Sequence, residues 1–377
     1  MSKGQLTTES YPEMTNRVLR PFLSRPERVL DLFAGCGGLA LGFEAAGFQT
    51  LGFEANPDCC ATYNANLHGR CTEQFLTRDT LFPDAEVIIG GPPCQPFSVG
   101  GNQMGLEDAR DGFPAFISAV EQLHPRLWMF ENVRGLLYKN RWYLDEIIQR
   151  LERLGYVVEV KLLNASHYLV PQNRERIIVV GHKGGYKFPE KSSEVVTVGQ
   201  ALGGFLFAEP VEGKYLTESM DRYVAKYEKA SKCINPRDLD PNRPSRTVTC
   251  RNLGGATGDM QRIKLPSGRR RRLTVREGAR LQSFPDWFEF VGPEGSQFDQ
   301  VGNAVAPMFA FALAKSIASY LDGTQFLKEY PMGHLNAELS RSSTPTSQSS
   351  ASRCFHLPCR TVPETPVPSG SSHWHVS

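Results

Sequence analysis

Short apolar runs alternate with helical spacing of apolar residues over the first half of the chain. The runs that predict strands are Arg28–Leu32, Thr50–Glu54, Val87–Gly90, Leu127–Phe130 and Ile177–Gly181. The stretches with helical spacing are Leu39–Ala46, Phe116–Leu123 and Tyr143–Leu154. Strands that alternate with helices are typical of a parallel sheet covered by helices. The pattern therefore predicts an α/β fold.

This alternation ends after His182. From there to about Ser267 the chain is rich in Gly, Pro, Asn and Arg and has little periodicity, which indicates a second, smaller domain or a large insertion. Helical spacing returns at Thr274–Gln282 and at Pro307–Leu321. Beyond Pro331 the sequence is rich in Ser, Thr and Pro. Such a composition buries too little apolar surface to offset its chain entropy, so we expect a disordered tail.

The composition excludes several classes of protein. No stretch of eighteen apolar residues occurs and the first residues lack an apolar signal sequence, so we expect a cytoplasmic protein without membrane contact. The nine cysteines form no pattern of a disulfide framework or a zinc site, so we expect no metal. The net charge is only +2, but arginines cluster at Arg243, Arg246 and Arg251 and in the run Arg269–Arg272. This cluster fits either a phosphate-binding stripe or a solvated loop.

A glycine turn follows the first predicted strand. It reads Asp31-Leu-Phe-Ala-Gly-Cys-Gly-Gly-Leu-Ala40, and Glu54 ends the next strand. Small residues at Gly35, Gly37 and Ala40 let the backbone approach a ligand, while the carboxylate can accept hydrogen bonds from two ribose hydroxyls. The pattern indicates a nucleoside-containing cofactor, because nicotinamide, flavin and S-adenosylmethionine sites all use it.

A cysteine lies directly beyond the strand Val87–Gly90, in the sequence Gly90-Gly-Pro-Pro-Cys94-Gln-Pro-Phe-Ser98. The prolines stiffen the chain at the carboxyl end of a parallel strand, where ligands bind in α/β proteins. A buried structural cysteine is the alternative. The flanking prolines, glycines and polar residues Gln95 and Ser98 suit a core poorly, so the pattern favours a reactive thiol.

Two further motifs carry polar groups on predicted strands. Phe130-Glu131-Asn132-Val133 places a carboxyl group beside the Cys94 loop, where it can donate a proton; the alternative is a capping or salt-bridged glutamate. In Gln172-Asn-Arg174-Glu-Arg176, strand alternation predicts that Gln172, Arg174 and Arg176 share one face. An exposed charged strand face is the alternative.

The four motifs DLFAGCGG, GGPPCQPFS, FENV and QNRER resemble, in this order, those of the DNA (cytosine-5) methyltransferases of bacterial and phage restriction–modification systems. Two later blocks, Arg272–Glu277 with Arg280–Pro285 and Gly302–Pro307, are also similar to that family. The resemblance extends from about Val29 to Leu321. It implies a doubly wound, Rossmann-like methyltransferase sheet with a smaller, irregular target-recognition domain.

The resemblance also implies a division into domains. Residues 1–184, completed by 297–330, would form the catalytic domain that binds S-adenosyl-L-methionine. Residues 185–296 would form the target-recognition domain, and residues 331–377 the disordered tail. We expect a monomer in the bacterial cytoplasm, associated with the nucleoid, whose partner is double-stranded DNA and which has no stable protein partner.

Roles for individual residues follow from the same resemblance. Cys94 would attack carbon 6 of cytosine, Glu131 would bind or protonate the ring nitrogen at position 3, and Arg176 with Arg174 would support the base. The cofactor residues implied are Phe33, Gly35, Gly37, Glu54, Asp79, Pro93, Asn303 and Val305. The DNA-binding residues would be Gln95, Ser98, Arg243, Arg246 and Arg251.

Three other functions compete with this interpretation. A branch of the same family methylates transfer RNA, but its Cys-Phe-Thr signature does not occur in the sequence. An NAD-dependent oxidoreductase would use the glycine turn and would give no role to Cys94 and Glu131. A catalytically inactive DNA-binding module would not need the catalytic residues that are present.

Overall fold

A seven-stranded sheet organises the computed structural model, which describes residues 9–93, 111–209, 214–230, 232, 237–254 and 259–323. The strands of this sheet are β1 (Arg28–Leu32), β2 (Gln49–Glu54), β3 (Arg70–Glu73), β4 (Val87–Gly90), β5 (Leu127–Val133), β6 (Val157–Asn164) and β8 (Glu175–His182). Their order is β3-β2-β1-β4-β5-β8-β6. The first five are parallel, whereas β8 runs antiparallel to both of its neighbours.

Two small sheets lie outside this one. They pair β7 (Gln172–Asn173) with β9 (Ser245–Arg246) and β10 (Arg262–Lys264) with β11 (Arg270–Arg272). The helices are α1 (Tyr11–Val18), α2 (Gly38–Ala45), α3 (Pro57–Asn66), α4 (Phe113–Leu123), α5 (Arg141–Glu152), α6 (Val198–Leu202), α7 (Glu218–Ala230), α8 (Cys250–Gly254), α9 (Val275–Leu281), α10 (Glu294–Asn303) and α11 (Pro307–Leu321).

Helices cover both faces of the seven-stranded sheet. Strand residues alternate between two buried clusters: Val29 and Met129 pack with α2 and α11, whereas Leu30 and Trp128 pack with α4 and α5. Because neighbouring residues of a strand point to opposite faces, this alternation requires a helical layer on each side. The predicted doubly wound, Rossmann-like α/β fold is confirmed.

The structure corrects one prediction about the QNRER segment. Gln172 lies in β7, which pairs with β9, whereas Arg176 lies in β8 of the main sheet. The chain leaves one sheet and joins another at Arg174, so the three side chains do not share one face of a single strand. Alternation in the sequence could not reveal this break, because β7 is held by residues more than seventy positions away.

The region after His182 contains more regular structure than its composition predicts. Helix α7 is thirteen residues long. Met220, Val224 and Tyr227 recur in it at helical spacing, and Val224 is buried. The residues that the structure describes belong to one compact unit, and the predicted domain boundaries at 184/185 and 296/297 stay predictions. The predicted tail, residues 331–377, lies outside the described residues.

One helical stretch in the described part of the chain, Glu294–Leu321, is long and apolar enough to cross a bilayer. It consists of α10 and α11, and 61% of its apolar window is buried inside the protein. Packing of α11 on α2 accounts for this apolar character: a Cβ atom on Gly42 would lie 2.4 Å from the backbone nitrogen of Phe311.

Candidate active site

The turn between β1 and α2 has a backbone conformation that residues with a side chain rarely adopt. Phe33, Gly35 and Gly37 all have positive φ angles, of 60°, 54° and 88°. A Cβ atom on Gly37 would lie 2.7 Å from Leu67 and 2.8 Å from Tyr63, so this position needs glycine for both conformation and space. The turn therefore forms as the sequence predicts.

Glu54, at the end of β2, holds this turn in place. One carboxylate oxygen accepts a hydrogen bond of 2.9 Å from the backbone of Gly35, and the other accepts one of 2.8 Å from Asn56. Each carboxylate oxygen has a second lone pair, so both can still accept a hydrogen bond from a hydroxyl group of a ligand.

A cavity of about 720 Å³ opens beside the turn. Six of the predicted cofactor residues line it, namely Phe33, Gly35, Glu54, Pro93, Asn303 and Val305. Gly37 supports the turn behind the wall. Asp79 is exposed, its backbone N–H donates to Thr77, and it is not among the described residues that line the cavity. Gln74, Phe75 and Leu76, which follow β3, occupy that side instead.

Asp31 lines the same cavity and has an unusual environment. The residue is 1% exposed, and no side chain among the described residues donates a hydrogen bond to its carboxylate, although the backbone N–H of Ala40 lies toward it. Burial raises the pKa of Asp31 well above its ordinary value, and the charge of Glu54 raises it further. Asp31 was not predicted as a site residue, although an acid inside the apolar strand RVLDL was an available signal.

A second group of residues gathers where β4 and β5 end. Pro93 and Glu131 both line the cavity, and the side-chain amide of Asn132 donates to the carbonyl of Pro92 at 2.9 Å. Asn132 thereby fixes the prolines that precede Cys94. Cys94 itself, with Gln95 and Ser98, lies outside the described residues.

Glu131 forms an ion pair with Arg176. The distance from its carboxylate to Nε of Arg176 is 2.7 Å, and the side chains are 12% and 13% exposed. The pair forms because β5 and β8 are neighbours in the sheet. It places a carboxylate with a guanidinium partner in the wall of the cavity.

Arg174 differs from the prediction that it supports the base. The residue is 3% exposed, and its donors bond to the backbone carbonyls of Val248, Gly302 and Ala304. Burial lowers the pKa of Arg174, the charge of Arg176 acts in the same direction, and Glu131 opposes both. In the described structure the side chain of Arg174 therefore stabilises the backbone of these two segments.

The arginines predicted to bind DNA are exposed. Arg243 is near Asp240 at 3.5 Å and Arg251 near Asp259 at 3.7 Å, and their side chains are 80% and 74% exposed. Arg246 lies on β9, paired with Asn173 directly before Arg174.

The run Arg269–Arg272 is different and does not form a free basic stripe. Arg270 bonds to Asp238 at 2.9 Å, and Arg271 is 2% exposed and paired with Glu277 at 2.7 Å. Arg269 stacks on the ring of Tyr215 at 3.4 Å. These guanidinium groups stabilise the fold, so the interpretation of the run as a phosphate-binding stripe is wrong for most of it.

Comparison with known proteins identifies the family. Residues 27–319 match the family model described as C-5 cytosine-specific DNA methylase. The chain is 54% identical over 311 residues to the Type II methyltransferase M.AplI of Arthrospira platensis, covering 80% of this chain and 90% of that protein. It is 38% identical over 321 residues to the Type II methyltransferase M1.HphI of Haemophilus parahaemolyticus, covering 76% of this chain and 86% of that one.

Solved structures agree on the fold. The Dnmt2 methyltransferase of S. pombe superimposes with a TM-score of 0.62 at 19% identity, over 78% of this chain and 99% of that chain. Together with the family match over most of the sequence, the comparisons leave no place for an oxidoreductase. The chain belongs to the family of C-5 cytosine-specific DNA methylases.

Proposed function

We propose that the protein transfers a methyl group from S-adenosylmethionine to carbon 5 of a cytosine that has been flipped out of a specific duplex DNA sequence. The observation that carries this proposal is the meeting of two sites. Glu131, which is paired with Arg176, lines the same cavity as the glycine turn and Pro93, the residue directly before Cys94.

The residues around the cavity fit this cofactor. Glu54 can accept hydrogen bonds from the ribose hydroxyls, and the buried carboxylate of Asp31, which is paired with no described side chain, suits a positively charged methionyl group. The remaining surface would be lined by Phe33, Gly35, Pro93, Asn303 and Val305, and Gly37 would shape the turn. Asp79 would contribute to cofactor binding from a position that does not line the cavity. The bound cofactor supplies a methyl group that is attached to a sulfonium sulfur. When the methyl group is transferred, this sulfur becomes part of a neutral thioether.

The chain's own residues would activate the cytosine. The thiolate of Cys94 adds to carbon 6 and forms an S–C6 bond, which pushes electron density to carbon 5. Glu131 hydrogen-bonds to or protonates nitrogen 3 so that the ring can accept this density, while Arg176 holds Glu131 and the base in register. After methyl transfer, a base removes the proton from carbon 5, the S–C6 bond breaks and the thiolate is released.

The target cytosine must be flipped out of the duplex and into this site, because its reacting atoms are inaccessible within a duplex. We propose that Gln95, Ser98, Arg243, Arg246 and Arg251 contact the DNA, with the exposed arginines at phosphates or guanine edges. The names of the relatives as Type II methyltransferases support a role in protecting host DNA from a cognate restriction endonuclease. The enzyme would act as a monomer in the cytoplasm, on the nucleoid.

Cys94→Ser tests the proposal. Wild type and variant receive methyl-labelled S-adenosylmethionine with duplex DNA or transfer RNA, and the modified base is mapped. We expect 5-methylcytosine in DNA from the wild type, and loss of transfer with retained cofactor binding in the variant, because a hydroxyl is a far weaker nucleophile than a thiolate. Near-normal turnover by the variant, or methylation of the RNA alone, would refute the proposal.

A further inference from the structure

Arg174 lies at the junction of three separate segments of the chain. The residue lies between β7 and β8, where the chain passes from the small sheet into the main sheet, and its side chain is buried. Nη1 donates to the carbonyl of Val248 at 2.7 Å, and Nη2 donates to Ala304 at 3.0 Å and Gly302 at 3.4 Å. No ion pair joins it to a carboxylate within the described ranges, so backbone dipoles compensate its charge.

Two of these carbonyls belong to the end of α10. The last carbonyls of a helix have no partner within the helix and carry partial negative charge, which favours a cation. Arg174 supplies that cation, and Gln282 supplies a second donor, bonding to Val301 at 2.7 Å and Ala304 at 3.2 Å. Two distant side chains therefore cap α10.

The segment that follows this cap is part of the cofactor cavity. Asn303, Ala304 and Val305 line it, opposite the glycine turn. The approach is close: a Cβ atom on Gly38 would lie 2.4 Å from the carbonyl of Val305. Any shift of this segment changes the shape of the cavity, because it packs directly on the start of α2.

The third segment is held at both of its backbone groups. While Arg174 bonds to the carbonyl of Val248, the side chain of Gln172 accepts from its N–H at 2.8 Å. Gln172 also donates to Gln282 at 2.6 Å. Gln172, Arg174 and Gln282 thus form one buried polar cluster. This cluster joins the cofactor wall to Val248 and to the segment that leads into β8, the strand that carries Arg176.

We propose that Arg174 is a positioning residue that fixes the cofactor wall at residues 303–305. This inference rests on the proposed function, since it takes the cavity to be the S-adenosylmethionine site. It assigns Arg174 no contact with the cytosine, because its two terminal nitrogens bond to buried carbonyls.

The test separates affinity for the cofactor from the rate of chemistry. Arg174→Met removes the charge and every donor, while Arg174→Lys keeps a charge but cannot reach Val248 and Ala304 together. Binding of S-adenosylhomocysteine is measured by calorimetry without DNA, and methyl transfer is measured in a single turnover at saturating cofactor and DNA. We expect the methionine variant to weaken binding about tenfold or more, since buried carbonyls lose their donors, and the lysine variant to fall between it and the wild type.

Two controls give these numbers their meaning. Arg262→Met removes another buried arginine, 1% exposed and paired with Asp238 and Glu228, and should lower thermal stability without changing affinity for S-adenosylhomocysteine. Arg176→Lys should slow the single turnover and leave that affinity nearly unchanged. In Arg174→Met the single-turnover rate at saturation should stay within about fivefold of the wild type.

The inference is overturned if Arg174→Met binds S-adenosylhomocysteine as the wild type does and loses its single-turnover rate, as Arg176→Lys should. If the methionine variant does not fold, the lysine variant decides by the same criterion. A wild-type protein that does not bind S-adenosylhomocysteine would refute the proposed function, whereas normal binding by wild type and Arg174→Met alike refutes this inference alone.

Discussion

Glu131→Gln should slow the chemical step far more than it weakens binding of DNA. In the wild type the carboxylate lies 2.7 Å from Nε of Arg176 in a pocket where both side chains are about 12–13% exposed. The amide oxygen of glutamine can still accept that hydrogen bond, although without charge assistance. We therefore expect a loss of about 1 kcal/mol in ground-state interactions, or about fivefold in affinity.

The loss in rate should be much larger, because an amide cannot deliver a proton to nitrogen 3 of cytosine. Positioned general acids contribute about a hundred- to ten-thousandfold, which corresponds to about 3–5 kcal/mol at the transition state. Rapid-quench single turnovers with methyl-labelled S-adenosylmethionine measure this step, and equilibrium binding of duplex DNA measures the ground state.

The double variant with Arg176→Lys completes a thermodynamic cycle. If Arg176 acts through Glu131, its replacement should cost less rate in the Glu131→Gln background than in the wild type. A Glu131→Gln enzyme that keeps its single-turnover rate and loses affinity would show that Glu131 only binds, and the reasoning would be refuted.

Two further predictions separate surface from structural roles. Arg251→Ala should weaken DNA binding and reduce its salt dependence by about one unit of slope without changing stability, whereas Arg271→Ala, which leaves Glu277 buried without its partner, should cost about 3–5 kcal/mol of stability; equal effects on DNA affinity with no unfolding would contradict this assignment. Gly42→Ala should lower the free energy of unfolding by about 1–3 kcal/mol, because its Cβ meets the backbone of α11, while Gly204→Ala, where no atom lies within 4 Å, should be nearly neutral in thermal denaturation.

The sequence predicted the elements whose cause is local and apolar. Strands β1, β4 and β5 are mostly apolar because they are buried on both faces, and a motif lies at or directly after the end of each. Helix α7 was missed, although Met220, Val224 and Tyr227 recur in it at helical spacing, because the surrounding sequence rich in Gly, Pro and Asn indicated irregular structure. The antiparallel direction of β8 was also not predicted, because an apolar run does not encode which way it crosses the sheet.

The same contrast holds within the active site. Glu54 and Glu131 follow predicted strands, so their place at one edge of the sheet could be expected from the carboxyl ends of parallel strands. The contacts of Arg174 could not be predicted, because its partners are backbone carbonyls. No pattern of side chains in the sequence indicates the carbonyls of Val248, Gly302 and Ala304. Charge in the run Arg269–Arg272 was equally ambiguous until the acids around it were known.

Asp31 links the stability of the fold to binding of the cofactor. Its carboxylate is buried without a side-chain hydrogen-bond partner in the described chain, and burial raises its pKa against the opposing effect of the Ala40 backbone. A carboxyl group with a raised pKa binds its proton more tightly in the folded state than in the unfolded state. Its contribution therefore becomes more destabilising as pH rises above the unfolded value of about 3.9.

Asp31→Asn should remove this penalty from the protein without cofactor. We expect a gain in stability on the order of 1 kcal/mol near pH 8 that shrinks toward pH 4, measured as the difference in melting temperature between variant and wild type across that range. The same substitution removes the negative charge available to a methionyl ammonium group, so S-adenosylhomocysteine should bind about tenfold or more weakly. The buried acid would then be kept for binding at a cost in stability. A variant that binds S-adenosylhomocysteine as tightly as the wild type, or whose stability difference does not change with pH, would show that Asp31 plays neither part.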